Sequence, residues 1–306
     1  MYLSDSEAQD FELVRHLVNQ AISSPVTDIK RLPGTMAYNY EIDHKHVFKL
    51  PCERTNQEDW LRQAQLAPVL QQYFTFQIPQ PNLKTLHLFD GKTILSSFYP
   101  KIEGICFSDD CQFAAQDRSF KTRFFEQVSD AAAQIHAVPL TELPFQLPTK
   151  IDYLEKCFFK ESKGDNYLAK KLFRKLLHNS FLGLGKSGSR TSLLAHTDLH
   201  SGNILLDDKN KLVAVLDFDM LVRGDRFLEF RPGLYPDILD NRLFQKIYQE
   251  RTGIKIDMKD VYQHEIMQNS LRWFYGLYQL YQVLPARERD KKIKRALRQK
   301  VNSERY

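Results

Sequence analysis

The chain has 306 residues, 42% of them hydrophobic and 26% charged, with no low-complexity tract or internal repeat; that excludes a disordered or fibrous protein and supplies core for one large domain or two ordinary ones. Its formal charge of +5 is unevenly spread: residues 286–306 carry nine Lys and Arg against three Asp and Glu, a net of +6, which leaves −1 for the rest. A basic face confined to a C-terminal helical stretch reads as a solvated surface and argues against nucleic acid as a partner, and no apolar run is long enough to cross a bilayer.

The N-terminal stretch MYLSDSEAQDFELVRHLV lacks a basic region followed by an apolar one, and Cys52, Cys106, Cys111 and Cys157 have no metal-ligand spacing. A cytoplasmic chain with reduced thiols is expected. Ser4-Asp5-Ser6-Glu7 has the form of a capping box, and the segment to about Ile22 sets Phe11, Val14, Leu17 and Val18 on one helical face. Three strands follow, centred on Ile29–Arg31 and running from Ala37 to Ile42 and from His46 to Leu50, with turns at Pro33-Gly34-Thr35 and Asp43-His44-Lys45. Gln57 to Gln72 is helical in pattern, with Trp60, Leu61, Ala64, Ala67 and Leu70 as its stripe and a kink expected at Pro68. Leu86 to Phe89 and Thr93 to Phe98 read as a strand pair around Asp90-Gly91.

The fold class expected is α+β in two lobes: residues 1–99 form a helix and a five-stranded antiparallel sheet, 100–104 link the lobes, and 105–306 are mainly helical. In the second lobe Phe113 to Ala137, one or two helices within Ile151 to Leu184, Asp237 to Arg251 and Asp257 to Leu284 carry the helical pattern, and the last is rich in aromatics that read as packing.

The densest signal lies between Leu193 and Asp219. Two apolar runs, Asn203–Leu206 and Leu212–Leu216, flank the polar tract Asp207–Lys211, the pattern of a short hairpin. Pairing would gather Asp198, Asn203 and Asp217 at one end, and two carboxylates with an amide oxygen suit Mg²⁺, a hard cation. His196-x-Asp198 with Asn203 five residues on, followed by Asp217-Phe218, is similar to a kinase catalytic loop and its metal-binding aspartate. Upstream, Lys49 points away from the apolar side of its strand and is suited to neutralise nucleotide phosphates; Gly34 lies in the turn that would cover them.

With these motifs in place, the chain resembles the aminoglycoside phosphotransferase and choline-kinase-like family over roughly Ile29 to Tyr281, most strongly in HTDLHSGNIL and VLDFD. The resemblance implies a protein-kinase-like fold and a small-molecule kinase. Asp198 would be the base facing the acceptor hydroxyl, Asn203 and Asp217 the Mg²⁺ ligands, Lys49 the phosphate lysine, and His196, His200 and Asp225 structural support. His200, where protein kinases commonly carry lysine, points to a small-molecule acceptor. In this alignment Gln63 stands where the family has a glutamate paired with the strand lysine, with Glu58 as the alternative. Pro100 keeps a carbonyl and Ile102 an N–H for a purine, which leaves both ATP and GTP open. Asp257, Asp260 and Glu265 are candidate acceptor-binding acids for an aminoglycoside. A choline-like amino alcohol, a homoserine-like amino acid or a sugar is the alternative acceptor, and a pseudokinase is the rival class. Between Gly224 and Tyr275 the sequence holds eight acids and eight bases, so bulk charge does not choose among them.

Overall fold

The computed structural model describes residues 2–22, 25–34, 36–53, 55–107, 110–149, 192–230, 234–235, 237–257 and 261. The chain divides into two compact units, one of Met1–Leu147 with Ser192–Lys255 and the other of Pro148–Thr191 with Ile256–Tyr306. Most of the second unit, including the helices expected in 151–184 and beyond 261, the loop 186–190 and the basic tail, lies outside the described residues.

In the first unit, α1 (Phe11–Ala21) is capped by Asp10, whose side chain accepts from the amides of Glu12 and Leu13. The Ser4–Glu7 box forms as its sequence requires, with Ser4 N donating to Glu7 Oε2 at 2.8 Å and Glu7 N to Ser4 Oγ at 3.3 Å. It closes only the 3₁₀ turn Glu7–Gln9, because Asp10 is extended and the helix starts after it. Phe11 is therefore exposed, and Leu13 joins Val14, Leu17, Val18 and Ala21 on the buried stripe.

That stripe covers one face of a five-stranded antiparallel sheet, β1 (Ile29–Leu32), β2 (Tyr38–Ile42), β3 (His46–Leu50), β4 (Asn82–His87) and β5 (Thr93–Pro100), in the order β1-β2-β3-β5-β4. Tyr40, Ile42, Phe48, Leu50, Leu86 and Ile94 supply the sheet's half of the core. By alternation Asn39, Lys49, Ser97 and Tyr99 belong to the opposite face, in the pairs Asn39–Lys49 and Lys49–Ser97. β4 runs earlier than the apolar pattern suggests, because as an edge strand it buries only Leu86 and its polar residues carry no alternation.

α2 (Gln57–Leu70) continues through Pro68 and tightens into a 3₁₀ turn at Gln71–Tyr73. Gln77 then bridges in parallel to Ala214, with Gln77 N donating to Val213 O at 2.8 Å and Val215 N to Gln77 O at 3.1 Å. The helix expected from Phe113 divides into α3 (Asp110–Ala114) and α4 (Arg118–Ala137), since Asp117 starts a new helix by accepting from Phe120 N. α5 (Ile238–Thr252) begins at an Asp237 cap, ends at Gly253 with φ +69°, and packs along α4. Phe113, Phe124, Phe125, Tyr235 and Phe244 interlock between these helices with centroids 4.9 to 6.4 Å apart, a geometry that adds to burial. A buried ion pair, Lys121 Nζ to Asp240 Oδ2 at 2.9 Å, ties α4 to α5.

Phe125 is fully buried at the centre of this cluster and Phe89 is 71% exposed. Phe125→Ala is expected to cost about 3–5 kcal/mol of unfolding free energy, and Phe89→Ala no more than about 0.5 kcal/mol, measured by urea unfolding.

Candidate active site

The loop that carries Asp198 leaves β6 (Leu193–Ala195), a three-residue strand paired with β9 (Val222–Gly224). His196 is fully buried. Its Nε2 lies 2.8 Å from Leu216 O, its Nδ1 accepts from Asp198 N at 3.3 Å, and its ring stands edge-on to Phe218 at 4.8 Å. With Nδ1 accepting from an amide, Nε2 is the nitrogen that donates to Leu216 O. Thr197 adopts φ +69°, which a β-branched residue rarely tolerates. Glu229, fully buried in the 3₁₀ turn Arg226–Phe230, holds it there: its carboxylate accepts from His196 N at 2.5 Å and Thr197 N at 2.9 Å. Burial alone would raise the Glu229 pKa, but His136, His196 and the loop amides outweigh it and hold the carboxyl below the ordinary range. Tyr235 adds a tether by donating to Leu199 O at 2.8 Å.

Beyond Asp198, His200 accepts from Gly202 N at 3.1 Å through Nδ1 and places Nε2 3.6 Å from Asp198 Oδ2. Asn203 donates from Nδ2 to Asp198 O at 3.0 Å and to Asp198 Oδ2 at 3.3 Å, which leaves its amide oxygen as the acceptor. Asn203 opens into the hairpin β7 (Ile204–Leu206) and β8 (Leu212–Val215), where Asp207 caps the turn through Lys209 N and Lys211 N. Leu216 N donates to Asn203 O at 2.8 Å, so the hairpin closes beside Asp217. Asp217 itself has φ +65° and ψ +50°, left-handed, and starts the 3₁₀ turn Phe218–Met220. Asp198 and Asn203 are thus bonded to each other, and Asp217 follows the residue whose amide bonds Asn203 O.

Lys49 enters the same neighbourhood from the sheet. Burial opposes its charge, yet the Tyr99 phenol, Asp219 and Asp217 together raise its pKa, which keeps it protonated. Its Nζ lies over the Tyr99 ring, 5.9 Å from the centroid. Asp219 is pushed well above the ordinary carboxylate value, first by burial and then by the Asp217 charge, with Lys49 opposing both. On α2, which packs against the Phe218–Met220 turn, Gln63 and Asp59 are buried and Glu58 is exposed. Asp59 pairs with Arg62 and adds to the negative field on Asp219.

Gly34 lies on the loop between β1 and β2, where a Cβ would come within 2.2 Å of Asn39 Nδ2 and 2.9 Å of Ala37 O. Pro100 ends β5 opposite His46, and Ile102 follows it, half-buried. The linker docks on the catalytic hairpin through Ile105, whose N–H and carbonyl exchange bonds of 2.8 and 2.9 Å with Leu206. Gly104 permits this approach, since a Cβ there would stand 3.0 Å from Leu205 Cβ and 3.1 Å from Leu206 O. Asp257 is exposed. Asp260 and Glu265 lie outside the described residues.

With that geometry described, the comparisons are decisive. A model of the phosphotransferase enzyme family matches residues 28–242, more than half of the chain. The chain belongs to this family. It is a phosphotransferase, a kinase of small-molecule hydroxyl groups. A search of curated proteins finds no match. Among solved structures, the GDP complex of wild-type aminoglycoside 2'-phosphotransferase-IIIa is similar at 17% identity and TM-score 0.64, over 96% of this chain and 99% of that one. The streptomycin–ATP–APH(2")-IIa complex matches at 17% identity and TM-score 0.61, over 98% and 97%. Macrolide 2'-phosphotransferase MphH from Brachybacterium faecium matches at 16% and 0.56, over 92% and 96%. The family member therefore has the protein-kinase-like fold, mixed α+β.

Asp225 stands in the sequence reading as structural support, and it opens the turn, its carbonyl accepting from Leu228 N at 3.1 Å; the carboxylate that receives the loop amides is Glu229, four residues on. Asp219, Asp59 and Tyr99 were also missed; for Asp219 the signal was its two-residue spacing from Asp217. Glu229→Gln is expected to lower stability at neutral pH by about 2 kcal/mol, because a buried amide loses its acceptor. The folded pKa of Glu229 lies below its unfolded value, so its contribution is complete above 4.5 and fades as pH falls through the lower folded value. The gap between wild type and variant should narrow below pH 4.5, and urea unfolding that shows it constant or widening there contradicts the assignment.

Proposed function

We propose that the enzyme transfers the γ-phosphoryl group of ATP or GTP to a hydroxyl of an aminoglycoside-like acceptor. The observation that carries this reading is the joining of Asp198 to Asn203, at 3.0 and 3.3 Å, beside an Asp217 that shares its field with Lys49. Asp198 orients the acceptor hydroxyl and takes its proton, while Lys49 neutralises the donor's phosphates. Pro100 O and Ile102 N–H receive the purine edge. The nucleotides bound in the similar structures, GDP and ATP, support a nucleotide donor of either base.

Magnesium fits the residues present. Asn203 turns its amide nitrogen onto Asp198 and keeps its oxygen as a donor atom, and Asp217 and Asp219 face a single lysine, so the site is short of positive charge. Among the described residues no group of three or more His, Cys, Asp or Glu is arranged to hold a metal, and Mg²⁺ would take phosphate and water for most of its shell. Asn203 and Asp217 would hold it, and it would supply charge neutralisation between the phosphates.

Aminoglycosides stand first as acceptors because two of the similar enzymes are aminoglycoside phosphotransferases, one with streptomycin bound. Resistance to such an antibiotic would be the consequence. The balanced charge of residues 224–275 and the macrolide enzyme among the similar structures keep other hydroxyl compounds as the second reading. Among the described residues no helix is long and apolar enough to cross a membrane. A nucleotide-dependent kinase of this kind works in the cytoplasm, where its donor is made.

Asp198→Ala should lower turnover by at least about 100-fold and change nucleotide affinity by no more than about twofold. A coupled nucleotide-consumption assay gives the turnover, run with aminoglycosides, a macrolide, choline, homoserine and sugars, each with ATP and with GTP. Undiminished turnover in the variant removes Asp198 from the mechanism, and nucleotide binding without turnover on any acceptor favours a pseudokinase.

A further inference from the structure

Asn39 of β2 is half-buried, and its Oδ1 is a buried acceptor with no hydrogen-bond partner. Such an atom costs stability unless something uses it. The amide orientation is defined by its other end, since Nδ2 donates to Pro33 O at 3.1 Å. Nδ2 also occupies the space a Cβ on Gly34 would need, 2.2 Å from that position. Asn39 therefore fills the hollow of the glycine turn and bonds its backbone. Its cross-strand partner is Lys49, and directly paired residues project to the same face with Cβ atoms about 5 Å apart. The Lys49 ammonium has three donors, and Asp217 and Asp219 are its charged neighbours.

We propose that Asn39 is a positioning residue that couples the glycine turn to Lys49, holding Pro33 O with its nitrogen and offering Oδ1 to the ammonium. The role rests on Lys49 being the phosphate lysine. Asn39 gives Lys49 a neutral second support from within the sheet, on a chain whose helix α2 presents the amide of Gln63 and not a glutamate on its buried side. When phosphates draw the ammonium toward themselves, an uncharged acceptor steadies it without competing for its charge. The same side chain keeps the turn at a fixed height above the phosphates.

The test compares MgATP and MgGTP with adenosine and guanosine by calorimetric titration of wild type, Asn39→Ala and Asn39→Asp. Asn39→Ala should weaken triphosphate binding about 10-fold and leave nucleoside affinity unchanged. Asn39→Asp keeps the shape but sets a carboxylate against Lys49, so it should weaken triphosphate binding further. In steady-state assays the loss should appear in the nucleotide KM with kcat nearly unaltered. Gly34→Ala should mimic Asn39→Ala by displacing the amide, and should cost less when Asn39 is already alanine; the approach to Ala37 O is common to both backgrounds. Equal losses for nucleoside and triphosphate, or strictly additive effects of the two substitutions, overturn the coupling and leave Lys49 its role. Failure of wild type to distinguish triphosphate from nucleoside overturns the phosphate-lysine reading itself.

Discussion

The catalytic loop depends on one buried carboxylate. Glu229 has no exposed surface, and burial of an ionised carboxyl is costly unless its oxygens are bonded. Here they receive two successive backbone amides, His196 and Thr197, and His136 Nε2 lies 3.6 Å away while its Nδ1 meets the Tyr248 hydroxyl. The two amides point the same way only because Thr197 adopts a left-handed conformation, and that conformation turns the chain so that Asp198 emerges beside Asn203. The strained residue and the buried charge sustain each other: neither has a reason to exist without its partner.

A second balance operates between the sheet and the hairpin. Asp217 and Asp219 face Lys49, so two carboxyl groups share one ammonium, and Asp59, paired with Arg62, adds to the field on Asp219. A structure evolved for stability alone would replace one of these acids. A site that receives a cation together with phosphates has a use for the imbalance, because the incoming groups complete it. The left-handed Asp217 fits the same interpretation: it starts its turn without spending its carboxylate on a cap bond to the backbone.

The sequence was most readable where period and motif coincide. The hairpin 204–215, strands β2 and β3 and the helix from Ile238 to Thr252 appear within a residue or two of their patterns. β6 and β9 were missed because three residues are too few for an alternation to show, and β6 is buried throughout. β4 was misplaced because an edge strand with one buried residue resembles a loop. In the site, residues with a fixed spacing were legible, whereas Glu229 was not: its role depends on a 3₁₀ turn that puts its fourth residue, not the Asp225 that precedes it, under the loop. Asn39 was invisible for a related reason, since its significance lies in a cross-strand register and in the volume above a glycine.

The residues that carry the chemistry belong to a single compact unit, and the joints between their segments are short backbone exchanges: Gln77 with Ala214, Ile105 with Leu206, Leu216 with Asn203. The first two tie segments from outside to the hairpin and the third closes the hairpin itself, all through main-chain atoms, so side chains nearby can change without moving these joints. The acids considered for acceptor binding fall in the other unit, beyond residue 255. On the proposed reading such a division lets one apparatus for phosphoryl transfer serve different acceptors, because the alcohol would be selected by a part of the chain that does not build the nucleotide site. It also explains why the reaction is readable from thirty residues around Asp198 and the acceptor is not.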